Sequence, residues 1–275
     1  MPDSLYRTLQ SFLAEGLTVA LATIIHTAGS TPREVGAQML ISPDGRGAGT
    51  VGGGCGEAEV VRAALDVIRA RRPAIVRVDL TGQIDLDADG ICGGVFYVLV
   101  EPWSPAETDH ALLETLAGAT AGRRGLALAT RLPPAEPCHL LIAEGETPAD
   151  DLPAEVVAAA GERLAARQSG LFGREWFIEV HQARPTLLIA GGGHIALPLA
   201  QMAALCEFRV VVLDDRPSYA NAARFPMADQ CLCELFEPAL RRFPIDRDTY
   251  IVIITRGHQH DVECLRAVLE SPAAY

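Results

Sequence analysis

Two cysteines in this 275-residue chain sit among bare glycines. Cys55 lies in Gly49-Thr50-Val51-Gly52-Gly53-Gly54-Cys55-Gly56-Glu57, which runs from a strand-like segment into a helical pattern. Cys92 lies in Ile91-Cys92-Gly93-Gly94. A cysteine at a helix N-terminus favours the thiolate, and a glycine loop exposes backbone N–H groups to an anion. Arg33, in Gly29-Ser30-Thr31-Pro32-Arg33, adds a guanidinium that can clamp a phosphate. Two cysteines with bare glycine neighbours, Cys55 and Cys92, are what a soft metal centre or a sulfur-transfer step requires. A plainer reading stands beside this one: small buried thiols in tight turns and a surface arginine.

A second constellation begins at Thr186. A short apolar strand leads into Gly191-Gly192-Gly193-His194-Ile195-Ala196, then a helix carrying Leu199, Met202 and Leu205. A further strand, Arg209–Leu213, ends in Asp214-Asp215-Arg216. Strand, glycine turn, helix, strand and acidic residue is the order of a dinucleotide-binding unit. Gly191 and Gly193 serve the turn and a close phosphate approach, and Asp214 stands 23 residues after Gly191, where a ribose-binding carboxylate belongs. NAD(P) is therefore a candidate ligand, and Arg216 either pairs with a 2′-phosphate or is simply solvated. The same glycines also suit tight helix–strand packing with no ligand. Further on, His258, His260, Asp261 and Cys264 follow the strand Thr249–Thr255. H-x-H-D without a distant fourth ligand suits a polar loop with Asp261 as helix N-cap better than a metal site, and no metal is expected. The sulfurs of Cys231 and Cys233, two apart on a strand, would point to opposite faces.

The elements that must position these residues follow from periodicity. Leu5, Leu9, Phe12 and Leu13 recur at helical spacing and Gly16 ends the helix. Leu17–Ile25 reads as a buried strand. Ala37–Ile41 and Gly47–Val51 flank Ser42-Pro43-Asp44-Gly45 as a hairpin. Val60, Ala64 and Ile68 mark a second helix, and Ala74–Leu80 and Val95–Glu101 two more strands. The expected organisation is an N-terminal αβ domain over residues 1–102 and a connector with some structure of its own over 103–184. A Rossmann-like doubly wound parallel sheet follows over 185–275. The connector carries a strand at Gly125–Arg131 and an alanine-rich helix around Glu155–Arg167.

Composition narrows the class to a folded α/β protein, with 49% hydrophobic and 21% charged residues. A net charge of −12 argues against nucleic acid as a partner. No apolar run reaches the roughly 20 residues of a membrane helix. Seven scattered cysteines and no signal-like start point to reduced thiols and a cytoplasmic location.

The runs Gly29–Leu40, Ser42–Gly45, Gly52–Glu57 and Cys92–Gly94 resemble the xanthine dehydrogenase accessory (XdhC/CoxI) family. So do Leu187–Ala196, Asp215-Arg216-Pro217, Arg224-Phe225-Pro226 and the strand before His258 in the second half. The resemblance implies a molybdenum cofactor chaperone that turns nothing over. It would bind the cofactor transiently, hold it while the terminal sulfido ligand is installed from a cysteine desulfurase, and deliver it to a molybdenum hydroxylase of the xanthine or carbon monoxide dehydrogenase type. Carried onto this chain, Cys55 and then Cys92 would stand near the metal, with Arg33 and Gly52–Gly54 around the anion. The loop here lacks the serine common in the family's Ser-Gly-Gly-Cys. The resemblance also implies a further strand and a Gly-x-x-Gly-Ser-Arg segment beyond Tyr275, so a sheet one strand short and a homodimer are expected. The rival classes are an NAD(P)-dependent oxidoreductase, with His194 or His258 moving the proton, and a nucleotide-binding regulator.

Overall fold

The computed structural model describes residues 2–81, 93–119, 125–135, 138–145 and 152–275. Two compact units divide the chain, Met1–Ala183 and Arg184–Tyr275.

The first unit opens with α1 (Pro2–Ala14), whose Leu5, Tyr6, Leu9, Phe12 and Leu13 form one buried face. Gly16, at φ 82°, turns the chain while the Leu17 N–H reaches back to Phe12 O, closing the helix in a left-handed cap. Then come β1 (Val19–Ala28), β2 (Gln38–Ile41), β3 (Gly47–Gly49), α2 (Gly54–Ala70), β4 (Ala74–Asp79) and β5 (Val95–Trp103). They build an antiparallel sheet of order β3-β2-β1-β5-β4. β1 runs to Ala28, three residues beyond the expected end, because β5 pairs with it through Ala28 after a register shift between Ile24 and His26. Gly56, Val60, Ala64 and Val67 of α2 are buried, the apolar three packing on Ala22, Val78, Phe96 and Val98 of the sheet. Gly56 lets the helix start close: a Cβ there would lie 3.0 Å from Val78 Cγ1.

The segment expected to be a connector belongs to this first unit and forms a sheet of its own. It contains α3 (His110–Gly118), β6 (Leu126–Arg131), β7 (His139–Ala143), α4 (Ala154–Ala166), β8 (Gly170–Phe172) and β9 (Trp176–His181). The antiparallel strands lie in the order β7-β6-β9-β8, with Val156, Ala159, Ala160 and Leu164 of α4 buried against them. Asp109 caps α3 by accepting from the N–H groups of Ala111 and Leu112.

The second unit contains β10 (Thr186–Ala190), α5 (Ala196–Leu205), β11 (Arg209–Asp214), β12 (Gln230–Cys233), α6 (Phe236–Arg242), β13 (Thr249–Ile253) and α7 (Asp261–Val268). All four strands are parallel, in the order β12-β11-β10-β13. α5 packs with one face of the sheet, α6 and α7 with the other, so the sheet is doubly wound as in a Rossmann domain. Its strand order reverses between β10 and β13, the topological switch point of such sheets. α5 reaches the sheet through Ala196, Ala200 and Ala203, while Met202 and Leu205 face outward. Ala274 and Tyr275 lie beside β13: Ala274 N–H donates to Thr249 O, and Ile251 N–H to Tyr275 O.

Candidate functional site

In the first unit, β3 feeds directly into α2 through Thr50–Gly53. Gly49, Gly52, Gly53 and Gly54 all have positive φ, between 63° and 135°, which side chains resist. The loop curls around the carboxylate of Glu57. Glu57 Oε2 accepts from Val51 N–H at 3.2 Å, Gly53 N–H at 3.0 Å and the Thr50 hydroxyl. Partial burial works against the charge, but the donors from Thr50, Gly53, Val51 and Gly52 outweigh it and hold the carboxyl below its ordinary range. Part of the anion cradle expected at Gly52–Gly54 is thus filled by a carboxylate of the chain itself. A residue the sequence showed only as a helix-opening acid is the organiser of this loop.

Around it the other motifs converge. A Cβ on Gly52 would lie 2.4 Å from Pro32 Cγ, and one on Gly94 2.4 Å from Ser30 O. The run Gly29–Arg33 therefore touches both Gly52 and the pair Gly93–Gly94. Cys55, the second residue of α2, is exposed there. Arg33 is exposed too, with no ion pair among the described residues, and the Thr31 hydroxyl donates to its carbonyl at 3.0 Å. Gly53 and Gly54 have open space where a side chain would stand. Cys92 lies outside the described residues.

Glu57→Ala is expected to cost about 1–3 kcal/mol, the desolvation left by unmet donors. Glu57→Gln, which keeps an acceptor but no charge, should fall between it and the parent. Denaturant titrations of the three proteins read this order, and equal midpoints would deny Glu57 its role.

In the second unit the glycine turn has two kinds of glycine. A Cβ on Gly191 or Gly192 would come within 2.3 Å of a backbone carbonyl, Ile254 O or Tyr219 O respectively. These two are demanded by backbone approach. Gly193 has nothing within 4 Å and lines a cleft of about 770 Å³. The cleft lies past the ends of β10 and β13, at the switch point, with Arg216, Tyr219, Arg224, Thr255 and Arg256 also in its wall. Asp214, the carboxylate expected at a ribose, is 1% exposed. It accepts from Gly192 N–H at 2.8 Å and from Arg216 Nε and Nη2 at 2.8 and 2.9 Å. Burial opposes its charge, yet these donors hold the carboxyl low. Arg216, one of whose readings was a solvated side chain, is pinned: besides this fork its guanidinium lies 3.7 Å over the Tyr219 ring. Arg224 donates to Gly192 O at 3.0 Å and Gly193 O at 3.1 Å. Sequence marked Arg224 only as part of a motif, because its role depends on carbonyls 31 and 32 residues away.

The donors after β13 do not converge. His258 Nδ1 is 2.7 Å from Asp261, His260 Nδ1 is 3.2 Å from Glu263, and Cys264 is buried, its thiol pushed up to about 12 by desolvation. His260, not Asp261, occupies the N-cap position of α7, with no side-chain capping bond, and Asp261 instead accepts from the Thr255 hydroxyl. Cys231 packs toward α5 while Cys233 is exposed, as alternation on a strand requires.

Comparisons with known proteins follow the same two-part division. The model of the XdhC and CoxI family matches residues 12–79, and that of the XdhC Rossmann domain matches residues 187–275. A Bacillus subtilis (strain 168) protein, named as a probable subunit of xanthine dehydrogenase, is 26% identical over 257 residues, 92% of this chain and 76% of that one. The uncharacterized protein YqeB of Escherichia coli (strain K12) is 26% identical over 259 residues, 93% of this chain but 32% of its own length. The Escherichia coli (strain K12) molybdenum cofactor insertion chaperone PaoD is 31% identical over 115 residues, 40% of this chain and 36% of its own. This chain thus matches about a third of each Escherichia coli relative. A crystal structure from Bacillus halodurans, described as a xanthine dehydrogenase, superposes with a TM-score of 0.77 at 27% identity, covering 100% of this chain and 80% of that one. With one family region in each unit, in the family's order, and a likeness that runs the whole chain, the protein belongs to the XdhC/CoxI family.

Proposed function

We propose that this chain is a maturation factor for a molybdenum hydroxylase of the xanthine or carbon monoxide dehydrogenase type. It takes molybdenum cofactor as cargo, holds it during sulfuration by a cysteine desulfurase, and hands it to the apo-hydroxylase. The observation that carries this reading is that Gly29–Arg33 touches two other glycine motifs, one of which leads into exposed Cys55. A thiol at a helix start, with open space at Gly53 and Gly54 and exposed Arg33 next in sequence to the Pro32 that meets Gly52, suits an anionic, sulfur-rich ligand. Glu57 occupies part of the loop's donor set, so Arg33 supplies the cationic contact and Gly53–Gly54 the room. The names of the Bacillus subtilis relative and of PaoD support the same reading. Cys92 is proposed as the second thiol on the strength of the family resemblance. No described helix is long and apolar enough to cross a membrane.

A second ligand, a nucleotide such as NAD(P), is supported by the cleft at the switch point, with Gly191 shaping the turn, Gly193 facing the ligand and Asp214 holding Arg216. Both of the cleft's imidazoles, His194 and His258, are exposed, and His258 Nδ1 also meets Asp261.

The test is expression in cells with an active cofactor pathway, followed by oxidation and pterin fluorescence of the purified protein. The parent should carry pterin near stoichiometry and activate an apo-hydroxylase. Cys55→Ala should lose most of the pterin with its circular dichroism unchanged. An empty parent that activates nothing would refute the chaperone reading, and equal occupancy in the variant would remove Cys55 from the site.

A further inference from the structure

Three arginines line the cleft of the second unit. In a protein of net charge −12, Arg216, Arg224 and Arg256 line this cleft with His194 and His258; Asp214 and Asp215 contact Arg216, and Asp261 contacts His258, but no carboxylate stands among the described lining residues. From this we infer that the cleft binds a dinucleotide bearing a phosphate ester on its ribose, in preference to the same dinucleotide with a free ribose hydroxyl. The inference rests on the nucleotide reading of the cleft and is independent of cofactor binding in the first unit.

Three arrangements carry it. The carboxylate that would select a ribose hydroxyl, Asp214, is buried and has accepted a two-point bond from Arg216. What the cleft presents in its place is the Arg216 guanidinium, 25% exposed and backed by the Tyr219 ring. A fixed guanidinium favours a phosphate dianion over a neutral hydroxyl, since the charge-assisted contact needs no reordering of the side chain. Next, Arg224 ties down the carbonyls of Gly192 and Gly193, so the open side of Gly193 and the start of α5 stay toward the cleft for a bridging pyrophosphate. Lastly, Arg256 stands exposed past the end of β13, with a 3.4 Å contact from its Nη2 to Gln259 Oε1. A volume near 770 Å³ admits a ligand of nucleotide size.

The experiment is isothermal titration of the full-length, pterin-free protein with NADP+, NAD+ and inorganic pyrophosphate, repeated on Cys55→Ala, Arg256→Ala and Arg216→Lys. NADP+ should bind at least about tenfold tighter than NAD+. Arg216→Lys should shrink that ratio, because a lysine keeps the charge but cannot hold Asp214 at two points while facing a phosphate. Arg256→Ala, at an exposed position that leaves the fold intact, should weaken pyrophosphate and NADP+. Cys55→Ala should titrate like the parent, which separates this result from any failure of cofactor retention. Equal affinity for NADP+ and NAD+, binding of pyrophosphate with neither dinucleotide, or no saturable binding of any of the three would each overturn the inference.

Discussion

Unfolding free energy is expected to fall by about 2 kcal/mol between pH 6.5 and 8.5 in the parent and to stay level in Glu179→Gln. Glu179, on β9, is buried inside the first unit with Tyr6 of α1, Gln38 of β2 and His181. Gln38 Nε2 donates to Glu179 Oε2 at 3.1 Å and lies 3.2 Å from both the Tyr6 and the Thr23 hydroxyls. His181 Nε2 is 3.2 Å from Glu179 Oε1. Desolvation, helped by the Glu101 carboxylate, pushes Glu179 up to about 8, and desolvation alone brings His181 down to about 4. The buried pair is therefore neutral near pH 7, and His181 Nε2 has no hydrogen-bond partner among the described residues. The native state keeps the Glu179 proton up to about pH 8, whereas the unfolded chain releases it near 4.5. The stabilisation is whole below 4.5 and is lost as pH rises through 8. His181 runs the other way: its share is whole above 6.5 and is lost as pH falls through 4. Between 4.5 and 6.5 the two slopes oppose, and above 6.5 the Glu179 slope alone remains. Urea titrations at several pH values measure it, and a parallel decline in Glu179→Gln would show that this carboxyl is not the source.

The largest effect of a single methyl group is expected at Gly191. Gly191→Ala places a Cβ 2.3 Å from Ile254 O and 2.7 Å from Ile254 C at a φ of 119°. Both atoms are backbone at the end of the neighbouring strand, so no side chain can swing aside. The turn must shift or β10 must part from β13, at a cost above roughly 4 kcal/mol. Gly193→Ala, two residues on, meets nothing within 4 Å and should change stability by less than about 1 kcal/mol. Its effect belongs to the cleft, where a methyl group would crowd a ligand. Thermal unfolding of the two variants separates them, and similar melting temperatures would contradict this division of the glycines.

Several elements were legible because their signals are local. The apolar spacing of Leu5, Leu9, Phe12 and Leu13 made α1 readable, and Ser42–Gly45 marked the β2–β3 hairpin. The order strand, glycine turn, helix, strand and acid sufficed for the parallel sheet of the second unit. β7, β8 and β9 escaped, being short strands whose partners lie across an intervening helix or loop. The candidate residues were legible as types and in part as places: Cys55 does stand exposed at a helix start. Their neighbours were not.

Residue order alone was enough to determine the family, the two glycine turns and the helices that follow them, since each depends on spacing within a few residues. Only the tertiary structure decided that Glu57 fills part of one glycine loop, that Arg216 covers Asp214, and that Tyr6 and Glu179 share a buried contact across 173 residues. The reason is physical: a hydrogen bond or a desolvated charge is set by which atoms the fold brings within about 3 Å, and periodicity carries no record of that distance.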